Sequence, residues 1–369
     1  MKHLEKIIIE DGRRIRFTNF VDAKSFEFER ASFSVLPEAG IEQQLSYVSH
    51  VNREFYLLQQ TARDGKPGLQ AVVYVGRPKH MPNFAMATAP AFPVARDEVE
   101  EELGLKILGE LMKAVPGVMS LRIQSKRFQT EKLSEFVERS QKQNYFVSEP
   151  MGPVRTLMID LEASPEALMP KLTQKTRQKI RHATREQVII EDIKDFNFLE
   201  VCDEAMHESR KRSGGGSTDY DFHTAFEIAK HHPDRAKILG LFLKSKPESP
   251  LAYVVGYCGG MRAEYSSAGA FAHPELRALP YNYFLLWELM NWARAAGAKY
   301  MDLGGITSGD ENDPLKGIAR FKRSFPAEEI EVGREVVKII RPSHFAAYSA
   351  LKNITSGFRW KNPIQEVQS

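Results

Sequence analysis

The residues best suited to chemistry fall in two basic clusters and one glycine-rich strand end. Residues 171–186 (KLTQKTRQKIRHATRE) carry six Lys/Arg against one Glu. On a helix, Lys171, Lys175 and Lys179 form one stripe, and Arg177, Arg181 and Arg185 form a second. Guanidinium forks at this spacing suit phosphate oxygens. A plain solvated face is the simpler reading, but like charges four residues apart repel, which favours a polyanion contact. Residues 316–323 (KGIARFKR) carry four cations and no acid. If this segment is extended, Arg320 and Lys322 share one face while Phe321 and Phe325 share the other. The rings then anchor and the cations point into a cleft, although an ordinary edge strand has the same pattern. Just upstream, Asp302 ends a strand that opens into Gly304-Gly305, and paired glycines permit close backbone approach to a ligand. Tyr265, Ser266 and Ser267, with Tyr281 and Tyr283, place hydroxyls at a strand end and a helix start. They serve either to orient a polar substrate or to pack a core.

The chain as a whole sets the frame for these clusters. It has 369 residues, 42% hydrophobic and 27% charged, the profile of a folded chain of about two domains rather than a disordered or fibrous one. No run approaches the roughly 20 apolar residues of a membrane helix. The N-terminus lacks the pattern of a signal peptide. Two cysteines cannot build a disulfide framework, and no cysteine pair has zinc spacing. These features point to a reduced, cytoplasmic protein. Nucleophile-elbow, Walker and dinucleotide-binding motifs are all missing. The two basic segments carry +5 and +4, so the remainder of this +3 chain carries −6. Concentrated positive charge of that kind suits phosphate or nucleic acid.

The elements that must position these residues follow from periodicity. Phe55–Gln60 and Leu69–Val75 flank turn chemistry at residues 64–68 and predict a hairpin. Residues 97–114 predict an amphipathic helix capped by Asp97. Val118–Gln124 predicts a strand and Thr130–Gln143 a helix. A boundary falls near residues 150–153. Beyond it come a strand at Val154–Leu161 and a helix start at Ser164-Pro165-Glu166. The basic helix follows, then a strand at Val188–Ile193 and helices at Phe198–Arg212 and Tyr220–His231. Strands at Lys237–Leu243, Leu251–Cys258 and Ala263–Ala270 precede a helix from Pro280 to Gly297 and a strand at Lys299–Leu303. The succession predicts an α+β layer of helices on a mostly antiparallel sheet.

Three blocks within residues 154–340 resemble the FemABX family of peptidyl aminoacyltransferases. They are TLMIDLEASPEALMPKLTQKTRQKIRHATREQV, LPYNYFLLWELMNWARAAGAKYMDLGGI, and GIARFKRSF with the strand after it. The resemblance implies two tandem Gcn5-related N-acetyltransferase-like domains, each a mixed, mostly antiparallel sheet flanked by helices. Their expected extents are 1–152 and 153–342, with a tail at 343–369 carrying a short helix from Ser343 to about Lys352. The long helical hairpin of staphylococcal members has no counterpart beyond residues 195–235, so the chain resembles the compact, FemX-like members.

The family implies transfer of an aminoacyl group from aminoacyl-tRNA, as co-substrate without a further cofactor, to an amine of a UDP- or lipid-linked muropeptide. A lipid-linked acceptor would bring the protein transiently to the inner face of the membrane. By resemblance Lys322 is the lysine of the transfer step, since a fixed ammonium stabilises charge developing on the carbonyl and ribose oxygens. Asp302 either accepts a hydrogen bond from the attacking amine or caps the loop that follows it. Arg177 and Arg181, on the basic helix, then contact RNA or pyrophosphate oxygens, mostly without reading sequence, and Arg320 binds substrate. Tyr265, Ser267, Tyr281, Tyr283, Gly304 and Gly305 line the substrate. An acyl-CoA-dependent N-acyltransferase of the same superfold is the competing enzyme. Residues 277–281 (RALPY) lack the glycines of a pyrophosphate loop and include a proline, which removes a donor. An RNA- or envelope-associated scaffold without catalysis is the third reading, since fold alone does not license activity.

Overall fold

The computed structural model describes residues 4–33, 41–51, 53–92, 94–126, 130–150, 155–183, 188–213, 220–273, 279–306 and 316–356. The chain divides into two compact units, 1–154 with 331–369, and 155–330.

Unit 1 runs through β1 (Glu5–Glu10), β2 (Arg13–Thr18), α1 (Ala23–Phe33), α2 (Leu45–Val48), β3 (Glu54–Thr61), β4 (Pro67–Gly76), β5 (Ala85–Ala89), β6 (Val94–Ala95), α3 (Glu98–Met112), β7 (Val118–Lys126), α4 (Thr130–Lys142) and β8 (Phe146–Ser148). Unit 2 holds β9 (Arg155–Asp160), α5 (Pro165–Leu168), α6 (Gln174–Ala183), β10 (Val188–Asp192), α7 (Phe198–Ser213), α8 (Phe222–His231), β11 (Ala236–Leu243), β12 (Ala252–Gly259), β13 (Arg262–Ala270), α9 (Tyr281–Ala295), β14 (Tyr300–Gly305), α10 (Lys316–Lys322) and β15 (Ala327–Glu331). The chain then returns to unit 1 as β16 (Gly333–Ile339) and α11 (Pro342–Ser356).

Each unit is α+β. The sheet of unit 1 has the order β1-β2-β3-β4-β5-β7-β16-β8, with β6 beside β4. The sheet of unit 2 has the order β10-β11-β12-β13-β14-β9-β15. β5 with β7 and β13 with β14 are parallel, whereas β1 to β5 in succession, β16 with β7 and β8, β10 to β13 in succession and β14 with β9 pair antiparallel. The expected 55–75 hairpin forms as β3 and β4. Asp97 caps α3, its side chain accepting from the Glu100 N–H at 3.0 Å.

Three expectations need correction. The second domain does not extend to residue 342, because β16 inserts between β7 and β8 of unit 1. Alternation identifies a strand but not its partner. The tail from residue 343 is not a separate segment but part of unit 1: its expected short helix forms as α11, which buries Phe345 and sets His344 and Tyr348 against Phe84. The basic helix begins at Gln174, because Thr173 caps it by accepting from the Thr176 N–H at 3.2 Å. Lys171 therefore sits in a separate 3-10 turn, not on the stripe. Arg185 lies outside the described residues.

In unit 2, α9 buries Phe284, Leu285, Leu286, Leu289, Met290 and Ala293 on one side of the sheet. Helix α7 crosses the other side so closely that Gly269 on β13 has no room for a side chain. A methyl there would lie 2.7 Å from the Tyr253 ring and 2.8 Å from the Met206 backbone nitrogen. Gly269→Ala is expected to cost about 2 kcal/mol through overpacking, read from denaturant midpoints. Gly317→Ala, whose methyl meets nothing within 4 Å, should leave the midpoint in place or raise it. Equal midpoints for the two variants would contradict the close helix approach.

Candidate active site

The site grows from the parallel pair of unit 2. β13 and β14 match for only three residue pairs, Arg262–Tyr300, Ala263–Met301 and Glu264–Asp302, and then separate. Both strands are irregular where they part. β13 bulges against β12, with Val255 opposite Ser267 but Gly256 opposite Tyr265, so Ser266 is the extra residue. β14 shifts against β9 between Asp302 and Gly305. Gly304 takes φ +76° at this shift, a left-handed conformation that suits glycine.

Asp302 ties the parting strands together. It is buried. One carboxylate oxygen accepts from the Thr156 hydroxyl and, at 2.7 Å, from the Gly304 N–H. The other accepts from the buried guanidinium of Arg262. Arg262 also lies 3.4 Å from Glu264. Asp302 is thus engaged on both oxygens and holds the turn that follows it.

Lys322 reaches the same place from α10. The residue is 7% exposed, and its ammonium donates to the Gly305 carbonyl at 2.9 Å and lies 5.9 Å from the Tyr265 ring centre. Burial pushes its pKa down from 10.5 to about 8, against the opposing pull of the Asp302 charge. Burial also raises the Tyr265 hydroxyl, and Tyr281 adds to that shift. Lys322, Asp302, Gly304, Gly305 and Tyr265 therefore form one cluster, with Tyr281 close by.

Other expected site residues go elsewhere. Residues 316–322 form a helix, not an extended segment, so Arg320 and Lys322 stand about 200° apart around its axis. Lys322 turns inward and Arg320 is exposed. Ser267 leaves the site because the Ser266 bulge reverses the alternation. It pairs with the Tyr253 hydroxyl at 2.9 Å on the α7 side, whereas Tyr265 packs on the α9 side. Tyr283 is a joint: its ring meets Phe321 and Phe325 at 5.0 and 5.8 Å. Its hydroxyl accepts from Lys179 of α6 at 2.8 Å. The two basic segments thus meet through Tyr283 and through Thr176, whose hydroxyl donates to the Ser324 carbonyl at 3.2 Å. Arg177 is turned to its own chain and donates to the Pro170 and Leu172 carbonyls at 3.0 and 2.6 Å. Arg181 is exposed beside a cavity of about 730 Å³ that Glu166, Pro170 and Trp287 also line. Arg262 and Thr156 escaped the sequence reading. The available signal was an arginine opening a strand one residue after Gly259-Gly260.

Residues 170–323 match the model of the acetyltransferase (GNAT) domain family. Aminoacyltransferase FemA of Staphylococcus aureus is 30% identical over 102 residues, which is 27% of this chain and 22% of FemA. The chain thus covers less than a quarter of that relative's length. Among solved structures, FemX matches with a TM-score of 0.73 at 14% identity, over 87% of this chain and 98% of FemX. The C-terminal domain of a putative lysylphosphatidylglycerol synthetase from Agrobacterium fabrum matches at 0.52 and 15% identity, over 90% of this chain and 98% of that domain. A tandem GNAT protein from the clavulanic acid biosynthesis pathway matches at 0.51 and 11%, over 89% of this chain and 99% of that one. The chain shares its fold with FemX and with the tandem GNAT protein. The residues that match the GNAT model fall within unit 2, and the parting of β13 from β14 beside Lys322 lies among them. Among the described residues no helix is long and apolar enough to cross a membrane.

Two stability measurements test this geometry. With its folded pKa near 8 and its unfolded pKa near 10.5, Lys322 binds fewer protons in the fold between those values. Its charge therefore opposes folding fully below pH 8, and the opposition fades as pH rises towards 10.5. Lys322→Met should stabilise the protein at pH 7 by about 2 kcal/mol after allowing for the lost hydrogen bond. That gain should shrink at pH 9.5. Arg262→Leu should destabilise by about 3 kcal/mol by leaving Asp302 buried without its cation. A neutral Arg262 variant would mean that Asp302 does not depend on that pair.

Proposed function

We propose that the protein transfers an aminoacyl group from aminoacyl-tRNA to an amine of a peptidoglycan precursor or a similar cell-envelope acceptor. The observation that carries this reading is the buried Lys322 ammonium at the parting of β13 and β14. In the reaction the acceptor nitrogen attacks the ester carbonyl carbon. A C–N bond forms, the C–O bond to the ribose breaks, and a proton from the amine ends on the ribose oxygen. Negative charge develops first on the carbonyl oxygen and then on the leaving oxygen. A fixed, buried ammonium stabilises both, without reorganisation at the moment of reaction. With a pKa near 8, Lys322 is charged at neutral pH and acidic enough to share its proton with the leaving oxygen. Asp302 acts by fixing Gly304 and Gly305, not by contacting the amine. Arg181 and Lys175 on α6 would take donor phosphates. A lipid-linked acceptor would place the reaction at the membrane surface.

The rival acyl-CoA reading is favoured by the GNAT model match. It meets resistance at the helix starts where this superfold holds a pyrophosphate. In unit 1 the first turn of α3 carries Glu98, Glu100 and Glu101, and Asp97 already occupies an N–H. In unit 2 Pro280 stands directly before α9 and has no N–H to offer.

The test is transfer from charged tRNA to a UDP-linked muropeptide. Lys322→Ala should lower the rate about 100-fold or more while tRNA affinity is kept. The wild-type rate should fall as pH rises through about 8, where the ammonium is lost, and Lys322→Arg should move that fall to higher pH. Arg181→Glu should weaken tRNA binding and flatten its log–log salt dependence by about one unit. Stabilisation by acetyl-CoA with no response to aminoacyl-tRNA would replace this reading with the rival one.

A further inference from the structure

Strand β1 lies at the end of the unit 1 sheet. β2 pairs along one of its edges, and among the described residues no strand pairs along the other. Five of its six residues are exposed and Ile8 is half-buried. Ile7 and Ile9, on one face, are 51% and 79% exposed. Soluble proteins usually guard such edges with inward charges, prolines or bulges. Here the register with β2 is unbroken over all six residues, and no proline interrupts the strand.

The hydrogen-bond phase of β1 restricts what its outer edge can accept. β1 and β2 join through Asp11-Gly12, both at positive φ (51° and 73°), a tight two-residue hairpin turn. Its flanking residues, Glu10 and Arg13, exchange their backbone bonds, so Glu10, Ile8 and Lys6 turn their amides and carbonyls towards β2. Leu4 continues the phase, its carbonyl accepting from the Asn19 N–H at 3.2 Å. The backbones of Glu5, Ile7 and Ile9 therefore face outward. An antiparallel second copy must match outward residues with outward residues, which allows only every other register.

One of the allowed registers also matches side chains. With Ile8 opposite its own copy, Ile7 faces Ile9 and Lys6 faces Glu10, and twofold symmetry repeats each pair. Sliding by one step sets Glu5 against Ile9 and Lys6 against Ile8, or Ile7 against Asp11 and Glu10 against Ile8. Opposite charges and paired aliphatics across strands stabilise, and the mismatched alternatives do not. We propose that β1 is a dimerisation strand, through which two copies of this chain pair antiparallel about Ile8 and join their unit 1 sheets. The contact is isologous. It is also small, so the dimer forms and dissociates with concentration.

Sedimentation of the full chain should show mass rising from 41.9 kDa towards twice that value by about 100 µM protein, in the range of weak interfaces. Lys6→Glu alone and Glu10→Lys alone should each shift the equilibrium to monomer, and the double exchange should restore the dimer. Ile8→Cys should form an intermolecular disulfide on mild oxidation, since directly opposed residues of a non-hydrogen-bonded pair lie at bridging distance. The native thiols do not compete: Cys202 and Cys258 are buried, which raises them to about 12 and 11. A wild-type chain that stays monomeric, or a double exchange that fails to restore association, would overturn the proposal.

Discussion

The buried carboxylate of Asp302 is the constraint around which unit 2 is built. Two neighbouring parallel strands that separate after three residue pairs leave backbone groups exposed inside a sheet. Such groups must find partners. Asp302 closes the breach by accepting from the Thr156 hydroxyl on β9, the Gly304 N–H on its own strand and the Arg262 guanidinium on β13. Three strands are thereby fixed at one point, and the turn at Gly304-Gly305 has a single conformation. The Gly305 carbonyl then has a defined position from which to accept the Lys322 ammonium.

Arg262 is the cation that pairs with Asp302, and among the described residues the buried Lys322 ammonium donates to the Gly305 carbonyl. A buried ammonium with a lowered pKa is costly to the fold, and such costs concentrate at functional positions. The exposed cations are arranged differently. Those of α6 spread over a surface, where they suit a large anion, and Lys179 with Tyr283 links that surface to the aromatic pair Phe321 and Phe325.

Unit 1 repeats the architecture without repeating the breach. Its parallel strands β5 and β7 stay paired from Ala85–Val118 to Ala89–Ile123. The helix that follows β6 opens with acids in place of a phosphate-accepting turn. On β7, Arg122 and Gln124 both bond Glu335 of β16, so a strand that arrives some 200 residues later completes that sheet. The two units therefore differ at their parallel pair: one stays closed and the other parts beside Lys322.

The sequence by itself determined most elements, because caps, turns and apolar periodicity are local. Asp97, Ser164 and the residues 64–68 turn each act within a few residues of themselves, and the α9 sequence is apolar enough to be buried wherever it lands. It also marked Lys322, Asp302 and Gly304-Gly305 as a group. Tertiary structure decided their roles. No local pattern announces that β16 crosses back to unit 1, because a strand's alternation is silent about its partner. A one-residue bulge at Ser266 separated Tyr265 from Ser267, since the side-chain period of a strand is two and a single inserted residue reverses it. The helical form of residues 316–322 turned Lys322 inward and Arg320 outward for the same kind of reason: direction depends on the backbone period. Arg262 became the partner of Asp302 only when β13 and β14 were laid side by side.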